Sequence, residues 1–390
     1  MMPDKVLIVH VPYQFSGGEE VHVKQLEDAY EKIGLKSITY PTAKNNNKSN
    51  FKNSLSSLLP GYSFAILDSL WEKKSFHFIH ANNIFPVLGP NFLRWVIKRK
   101  IPLVMTVHNH RFFCTNGLAM RDGSICRDCF SSHTAWKSIL HNCNKNLLKT
   151  LYHSFALTEI HWQKLYHKAV KKFIAPSPYI EQELLRFGFP KENIIQVSHP
   201  LPPTPKTRSS ENTKSTDVLF AGRLSKEKGI FVALEAAKIL PHIHFTFAGT
   251  GPEEMAVRAL AEISKNITVL GSCSHQEVLY LIQKTKIGIL PSTCNEILSL
   301  FALEVISQGK YCVVSNSESM QWFSNVRLPV YLAELNNSRS FAGAIERALK
   351  APAISEQELK NIQEKLGEER FCLDLKKMIK DLFPEKNNVI

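Results

Sequence analysis

Two basic side chains stand in one short loop of the chain. Arg223 and Lys228 lie in the run Ala221–Gly229 (AGRLSKEKG), directly after an apolar segment typical of a buried strand. Arginine offers a planar fork of donors and lysine a compact charge, so both can bind one anion. Charge-assisted hydrogen bonds of this kind contribute roughly 1.5–3 kcal/mol each. The loop is a candidate diphosphate site; a solvated charged turn is the alternative.

Two carboxylates flank an apolar stretch further along the chain. Glu296 and Glu304 enclose this stretch, and the pattern predicts a helix over Ala302–Ser307 with Glu304 in its second turn. A buried carboxylate is costly unless it has a partner. A sugar hydroxyl would satisfy Glu296 and a ribose would satisfy Glu304. The alternative is that both carboxylates reach solvent or a nearby lysine.

Two predicted helix starts offer backbone N–H groups to an anion. One lies at Ser299, Leu300 and Phe301, where apolar surroundings strengthen the field of unpaired N–H groups. The other follows Gly17 and Gly18, which let a phosphate approach the backbone closely. The two glutamates after this glycine pair can instead simply offset the helix dipole. Phosphate binding is therefore one of two interpretations of the glycine pair.

Four cysteines fall within a polar segment of the first half of the chain. They are Cys114, Cys126, Cys129 and Cys143, and the central pair has the C-x2-C spacing of a chelating motif. Four thiolates suit tetrahedral zinc, and the segment has few apolar residues with which to build its own core. The sequence therefore predicts a structural zinc site, with free thiols and a labile disulfide as the alternatives.

The elements that must position these residues alternate between strand and helix, which favours an α/β architecture with parallel sheets. Apolar runs predict strands at Lys5–Val11, Phe76–Ala81, Leu103–Val107, Lys171–Ala175, Val218–Gly222, His244–Gly249, Ile267–Gly271, Ile287–Pro291 and Tyr311–Ser315. Ligands of open α/β sheets bind at the carboxyl ends of strands, where the motifs above stand. The motifs are therefore expected to converge on a cleft between two such domains.

These motifs together resemble glycosyltransferase family 4. The resemblance rests on Glu296 to Glu304 between Pro291-Ser292 and Gly309, on Gly222-Arg223 with Glu227-Lys228-Gly229, on Phe247–Pro252, on Thr106-Val107-His108 and on Gly17-Gly18-Glu19. The matches occur in the family's order and span about residues 5–350. The chain departs from the family's common pattern at Asn109, Ser299 and His199.

The resemblance implies a GT-B fold, in which two Rossmann-like, doubly wound parallel-sheet domains face each other across a cleft. It implies transfer of a sugar from a nucleotide-sugar with retention at the anomeric carbon, without a catalytic metal. The nucleoside of the donor, uridine or guanosine, is left open by the sequence. Gly17 and Gly18 would approach the phosphates from the N-terminal domain, and the helix start at Ser299, Leu300 and Phe301 would face them from the other.

The resemblance also implies roles for the charged residues. Arg223 and Lys228 would hold the diphosphate, and Glu304 would bind the ribose. Glu296 would face the donor sugar, and His108 would contact one of its hydroxyls. Physical chemistry is consistent with these roles, because fixed cations and N–H groups stabilise the negative charge that builds on a departing diphosphate.

The predicted domain organisation follows from the linker-like composition of residues 201–216, which are rich in Pro, Ser and Thr. Residues 1–200 would form an acceptor-side domain that carries the cysteine insertion at about 108–145, and this insertion resembles one found in a subset of the family. Residues 217–370 would form the nucleotide-sugar domain. Residues 371–390 would form a C-terminal helix and tail.

Charge is uneven along the 390 residues. The net charge is +13, and residues 1–200 hold 25 Lys and Arg against 14 Asp and Glu. The clusters at Lys98–Lys100 and Lys168–Lys172 could dock on an anionic membrane, steer an anionic glycan or simply be solvated. The chain shows neither a secretory signal nor a spanning helix, so a cytoplasmic location is expected, and peripheral attachment to the inner face of the membrane remains open.

The sequence favours a glycan or a lipid-linked glycan as the acceptor, in cell-surface polysaccharide or glycoconjugate synthesis. Three alternatives remain open at this stage. They are a sugar-nucleotide epimerase of the same fold, a zinc-containing basic protein that binds nucleic acid, and a family member that has lost catalysis. A nucleic-acid partner is not expected, since basic and aromatic residues do not interleave on any recognised module.

Overall fold

The computed structural model describes residues 3–11, 18–40, 64–131, 134–202 and 216–384. Gly17 and residues 203–215 of the predicted linker lie outside this part of the chain. The chain divides into two units. The first comprises residues 1–121, 126–199 and 369–390, and the second comprises residues 122–125 and 200–368.

A six-stranded parallel sheet forms the centre of the first unit, with strand order β2-β1-β3-β4-β7-β8. Its central strands are continuous apolar runs because helices cover both faces of the sheet. In β1, for example, every position after Lys5 is buried. The strands are β1 (Lys5–His10), β2 (Lys36–Tyr40), β3 (Phe78–Asn83), β4 (Leu103–Thr106), β7 (Val170–Ala175) and β8 (Ile194–Gln196).

Helices pack on this sheet through apolar stripes at helical spacing. Helix α1 buries Leu26, Ala29 and Tyr30 against β1 and β3, and the last helix, α16, adds Phe371 and Leu375 to the same core. The helices outside the insertion are α1 (Gly18–Lys32), α2 (Ala65–Glu72), α3 (Gly89–Arg99), α8 (Pro178–Arg186) and α16 (Glu368–Leu382).

The segment between β4 and β7 contains mostly short elements. They are a 3₁₀ turn (His110–Phe112), β5 (Met120–Arg121), β6 (Ser124–Ile125), α4 (Asp128–Ser131), α5 (Trp136–Leu140), α6 (Leu147–Trp162) and α7 (Leu165–Ala169). One small apolar cluster in it consists of Cys129, Ala135 and Leu157. Buried aromatic side chains add to this cluster, among them Phe113 against Phe187 and Phe112 against Tyr166, so the segment has more apolar support than its composition predicted.

A second six-stranded parallel sheet forms the centre of the other unit, with strand order β11-β10-β9-β12-β13-β14. Apolar residues of these strands and of the flanking helices make two core layers, one on each face. The strands are β9 (Thr216–Ala221), β10 (Phe245–Ala248), β11 (Ile267–Gly271), β12 (Thr285–Leu290), β13 (Tyr311–Ser315) and β14 (Val330–Ala333).

Seven helices of the second unit connect or flank these strands within the described residues. They are α9 (Ile230–Ile239), α10 (Glu254–Ile263), α11 (His275–Lys284), α12 (Leu300–Ser307), α13 (Gln321–Asn325), α14 (Ser338–Leu349) and α15 (Glu356–Leu366). In the part of the chain that the structure describes, no helix has both the length and the apolar character needed to span a bilayer.

The nine predicted strands are confirmed, and their ends differ from the observed ones by at most two residues. Three strands of the two large sheets were not predicted, β2, β8 and β14, and neither was the short pair β5 and β6. The first three lie at the edges of their sheets and are partly exposed. β2 (KSITY) and β8 (IIQ) include polar residues, whereas β14 (VYLA) is an apolar run of only four residues. The helix predicted over Ala302–Ser307 begins earlier, at Leu300.

Candidate active site

The loops after β9, β10 and β12 lie at one edge of the second sheet, because these three parallel strands are adjacent. Glycines allow the loops to pack backbone against backbone. A Cβ at Gly249 would lie 2.0 Å from the carbonyl oxygen of Gly222, and one at Gly229 would lie 1.8 Å from that of Pro291. The loop that carries Arg223 and the loop before Glu296 are therefore held in direct contact.

Lys228 and Glu296 form an ion pair where these loops meet. Nζ of Lys228 lies 2.7 Å from Oε1 of Glu296, and the side chains are 30% and 11% exposed. Ser292 donates a hydrogen bond to the same carboxylate oxygen. Burial would lower the pKa of Lys228, but the Glu296 carboxylate outweighs it and raises the pKa above its ordinary value. The Lys228 ammonium group is therefore charged at neutral pH.

Arg223 extends the positive charge of this loop. Its guanidinium donates to Oε1 of Glu227 at 2.8 Å and is 55% exposed, so the ion pair itself is screened by solvent. Arg223 is also close enough to Lys228 to oppose its protonation. The structure thus brings together three residues that the sequence singled out as a diphosphate and sugar site: Arg223, Lys228 and Glu296.

Glu304 has a partner that sequence reasoning missed. Oε1 of Glu304 lies 2.7 Å from Nε2 of His275, the first residue of α11, and the carboxylate is 9% exposed. The hydrogen bond to Glu304 raises the pKa of His275 above its ordinary value. Because the two residues are 29 positions apart, no local spacing signalled the contact. Glu304 is therefore held on a fixed helix face beside an imidazole donor.

The start of α12 has a side-chain cap. Ser299 is its N-cap residue, and the Ser299 hydroxyl accepts a hydrogen bond from the backbone N–H of Ala302 at 3.2 Å. Leu300 and Phe301 follow as the first two helical residues. The Ser299 hydroxyl therefore stabilises the helix by capping it. The anion site predicted at this helix start would use the backbone N–H groups that this cap leaves for a ligand.

In the first unit, His108 follows β4 within a cluster of imidazole rings. Its Nε2 donates to Oδ1 of Asn82 at 2.7 Å, and its ring stacks on that of His199 with 5.2 Å between centroids. Burial and the neighbouring His199 hold the pKa of His108 well below its usual range. His108 is therefore a neutral hydrogen-bonding group, which suits contact with a hydroxyl.

The cluster of His22, His108 and His199 has ligand atoms within 4.8 Å of one another, and it is the one such group among the residues that the structure describes. The ring centroids of His22 and His199 are only 3.9 Å apart. Tetrahedral zinc bonds of about 2.0–2.1 Å would separate ring centres by about 5 Å. The His22 and His199 rings are therefore too close for both to bind one tetrahedral zinc ion as they are arranged, whereas the other two pairs lie at 4.7 and 5.2 Å.

Gly18 begins α1, and the acidic residue after it faces the histidine strand. Glu19 accepts a hydrogen bond from Nδ2 of Asn109 at 2.9 Å. Burial raises the pKa of Glu19, and the Asn109 bond partly offsets that rise. The side-chain amide of Asn109 therefore supplies a hydrogen-bond donor to the buried Glu19 carboxyl group.

The four predicted metal ligands line one cavity of about 20 Å³ in the insertion: Cys114, Cys126, Cys129 and Cys143. This volume suits an ion or one water and not a sugar. All four are free thiols, and burial raises the pKa of Cys129 to about 12. Their donor chemistry fits zinc, although no three of these sulfurs lie within 4.8 Å of one another in the described part of the chain.

Two family models cover most of the chain. Residues 16–203 match the model described as Glycosyltransferase Family 4, and residues 204–366 match the model described as Glycosyl transferases group 1. A search of curated proteins gave no match.

Solved structures share the fold along most of the chain. Sucrose-phosphate synthase from Thermosynechococcus elongatus has a TM-score of 0.71 at 16% identity and covers 97% of this chain and 99% of its own. Anabaena HepE in complex with UDP and glucose has a TM-score of 0.64 at 14% identity, and the match covers 97% of this chain and 100% of HepE. The lipopolysaccharide outer core galactosyltransferase WaaB has a TM-score of 0.56 at 14% identity, and the match covers 96% of this chain and 99% of WaaB.

These likenesses confirm the predicted fold class, that of the GT-B glycosyltransferases with two parallel-sheet α/β domains. The two family models match in the order in which the motifs occur along the sequence. The chain belongs to glycosyltransferase family 4.

Proposed function

We propose that this protein is a retaining hexosyltransferase that moves a sugar from a nucleoside diphosphate sugar to a glycan or lipid-linked glycan acceptor. The observation that carries the proposal is the Lys228–Glu296 pair, with Arg223 beside it, at the carboxyl edge of the second sheet. In this proposal the second unit binds the donor, and the first unit binds the acceptor.

The charged loop would act on the leaving group. As the bond between the sugar and the diphosphate breaks, negative charge builds on the phosphate oxygens, and the fixed charges of Arg223 and Lys228 would stabilise it. The start of α12 would add backbone N–H groups. Two cations and a helix start supply the stabilisation that a divalent metal provides in other enzymes, so the proposed reaction needs no catalytic metal.

The remaining residues would orient the donor. Glu296, already fixed by Lys228 and Ser292, would face the sugar hydroxyls, and Glu304 would bind the ribose from its place beside His275. Neutral His108 would contact a hydroxyl from the first unit. Gly17 and Gly18 would let the phosphates approach the backbone at the start of α1.

Two of the similar structures guide the choice of donor and acceptor. HepE is in complex with UDP and glucose, which favours a uridine donor over a guanosine donor. WaaB is described as a lipopolysaccharide galactosyltransferase, which supports a lipid-linked acceptor in cell-surface polysaccharide or glycoconjugate synthesis. Such an acceptor places the protein in the cytoplasm, peripheral on the inner face of the membrane.

A donor screen tests the proposal. We expect the purified protein to bind one of UDP and GDP at least about tenfold more tightly in titration calorimetry, since a base pocket discriminates by its hydrogen bonds. With the matching nucleotide-sugar it should release nucleoside diphosphate. A new nucleotide-sugar formed without that release would indicate an epimerase instead, and failure to bind either nucleotide would contradict the proposal.

We also propose that Cys114, Cys126, Cys129 and Cys143 bind a structural zinc ion. Their common cavity has the size of an ion, and Arg121 and Lys137 also line it. Asp128 lines the cavity too and is paired with both of these cations, so the proposal rests on the four thiols and not on the surrounding charge. Metal binding would add folding energy to the insertion beyond that of its buried aromatic side chains such as Phe113.

Metal content tests this zinc proposal. We expect about one zinc per chain by mass spectrometry in protein purified without chelator, and almost none in a Cys126→Ser, Cys129→Ser variant. Cys273→Ser, a change to a partly buried thiol in the second unit, should keep the wild-type content. Only a background level of zinc in the wild-type protein, or the wild-type zinc content in the double variant, would contradict the proposed zinc site.

A further inference from the structure

Two neighbouring helices of the first unit, α5 and α6, expose large apolar side chains. Of the fourteen such exposed side chains among the described residues, six lie between positions 136 and 162, with exposures of 52–82%. We call these six the exposed apolar face: Trp136, Leu140, Leu147, Leu148, Phe155 and Trp162. Single exposed apolar residues are ordinary, but such a concentration marks an interaction surface.

The structure fixes these two helices side by side. The hydroxyls of Ser138 and Ser154 are hydrogen-bonded, and the backbone N–H of Ala135 donates to Oγ1 of Thr158 at 3.0 Å. The exposed side chains therefore sit on a defined support.

Helix α6 is apolar on two sides. Its inner side buries Tyr152, Ala156 and Ile160, among others. Leu148, Phe155 and Trp162 recur every seven residues, so they form one stripe along the exposed side. A helix with apolar residues on both sides is normally covered on both. A covering partner is therefore expected on the exposed side.

Charge around the face indicates the chemistry of that partner. Residues 136–168 hold five lysines and one acidic residue, Glu159, which is paired with Arg94. Lys145, Lys149 and Lys164 are exposed at or near the ends of α6. A partner that is anionic at its surface and apolar beneath it matches both features, and an anionic lipid leaflet has this structure.

We propose that the exposed apolar face docks on an anionic bilayer, with Phe155 and Trp162 in the headgroup boundary and the lysines on lipid phosphates. A second copy of the chain is a poorer partner, since a two-fold contact would bring the same lysines together. The docking does not depend on the donor, whereas the idea that the bilayer carries the acceptor rests on the proposed function.

Vesicle flotation without any nucleotide tests the docking. The wild type should bind vesicles of equal phosphatidylglycerol and phosphatidylcholine, bind phosphatidylcholine alone weakly, and dissociate as salt rises. A Phe155→Ser, Trp162→Ser variant should partition at least about tenfold less, because it loses two anchoring side chains. Lys149→Glu with Lys164→Glu should lose the preference for anionic lipid.

Ile263→Ser is the matched control, because Ile263 is 81% exposed on the second unit and Trp162 is 82% exposed. It should bind vesicles like the wild type, and all variants should keep the wild-type circular dichroism and nucleotide affinity. The proposal would be overturned if the Phe155→Ser, Trp162→Ser variant bound vesicles as strongly as the wild type, or if the wild type did not bind them. A wild-type dimer that this variant dissociates would assign the face to a second copy instead.

Discussion

Replacing Lys228 with alanine is expected to lower kcat/KM for sugar transfer by about 10²–10³-fold. The change removes a fixed cation next to the departing diphosphate. It also leaves the Glu296 carboxylate, 11% exposed, without the ammonium group 2.7 Å away. Release of nucleoside diphosphate under steady-state conditions measures the effect.

Lys226→Ala is the control for this prediction. Lys226 lies in the same 3₁₀ turn as Lys228, but its side chain is exposed, so its loss should change kcat/KM by less than about twofold. A Glu296→Gln variant completes a double-mutant cycle, and contacting residues of this kind couple by about 0.5–3 kcal/mol. Equal activities of Lys228→Ala and Lys226→Ala would remove Lys228 from the proposed mechanism.

A Gly229→Ala variant should lose both stability and donor binding. Gly229 has a φ of +72°, and a Cβ there would lie 1.8 Å from the carbonyl oxygen of Pro291. The left-handed backbone alone costs about 1–3 kcal/mol for a non-glycine residue. The collision adds to this cost, because the Pro291 carbonyl that the new Cβ would meet belongs to the backbone and cannot rotate away as a side chain could. The loop that carries Lys228 would have to separate from the loop that precedes Glu296.

Thermal unfolding and nucleotide titration measure these two losses. Gly34→Ala serves as the control, because Gly34 has a φ of +88° with no atom within 4 Å of the added Cβ. It should show the backbone penalty in Tm and keep nucleotide affinity. If Gly229→Ala bound nucleotide as tightly as Gly34→Ala, the packing of the two loops would be irrelevant to the donor site.

The central strands were predictable from sequence because burial on both faces demands a continuous apolar run. The edge strands β2, β8 and β14 were not predicted, because β2 and β8 include polar residues and β14 is an apolar run of only four residues. The location of the site could be predicted in a similar way, because each of its motifs directly follows a predicted strand. Arg223 and Lys228 follow one strand and Glu296 follows another, and adjacent parallel strands bring their carboxyl ends to one edge.

Partners across long separations were not predictable. Lys228 and Glu296 are 68 positions apart, and His275 and Glu304 are 29 apart. Their pairing depends on which strands are neighbours and on how helices α11 and α12 are oriented. In the same way, the imidazole cluster around His108 unites residues from a helix, a strand end and a segment after β8.

By itself, the sequence determined the fold class, the family and the residue types at each strand end, because those follow from local periodicity and motif spacing. Tertiary structure alone decided which charges are paired and which apolar residues stay in contact with water. Phe155 and Trp162 show the difference, since an apolar residue on a helix has the same local pattern whether packing covers it or leaves it exposed.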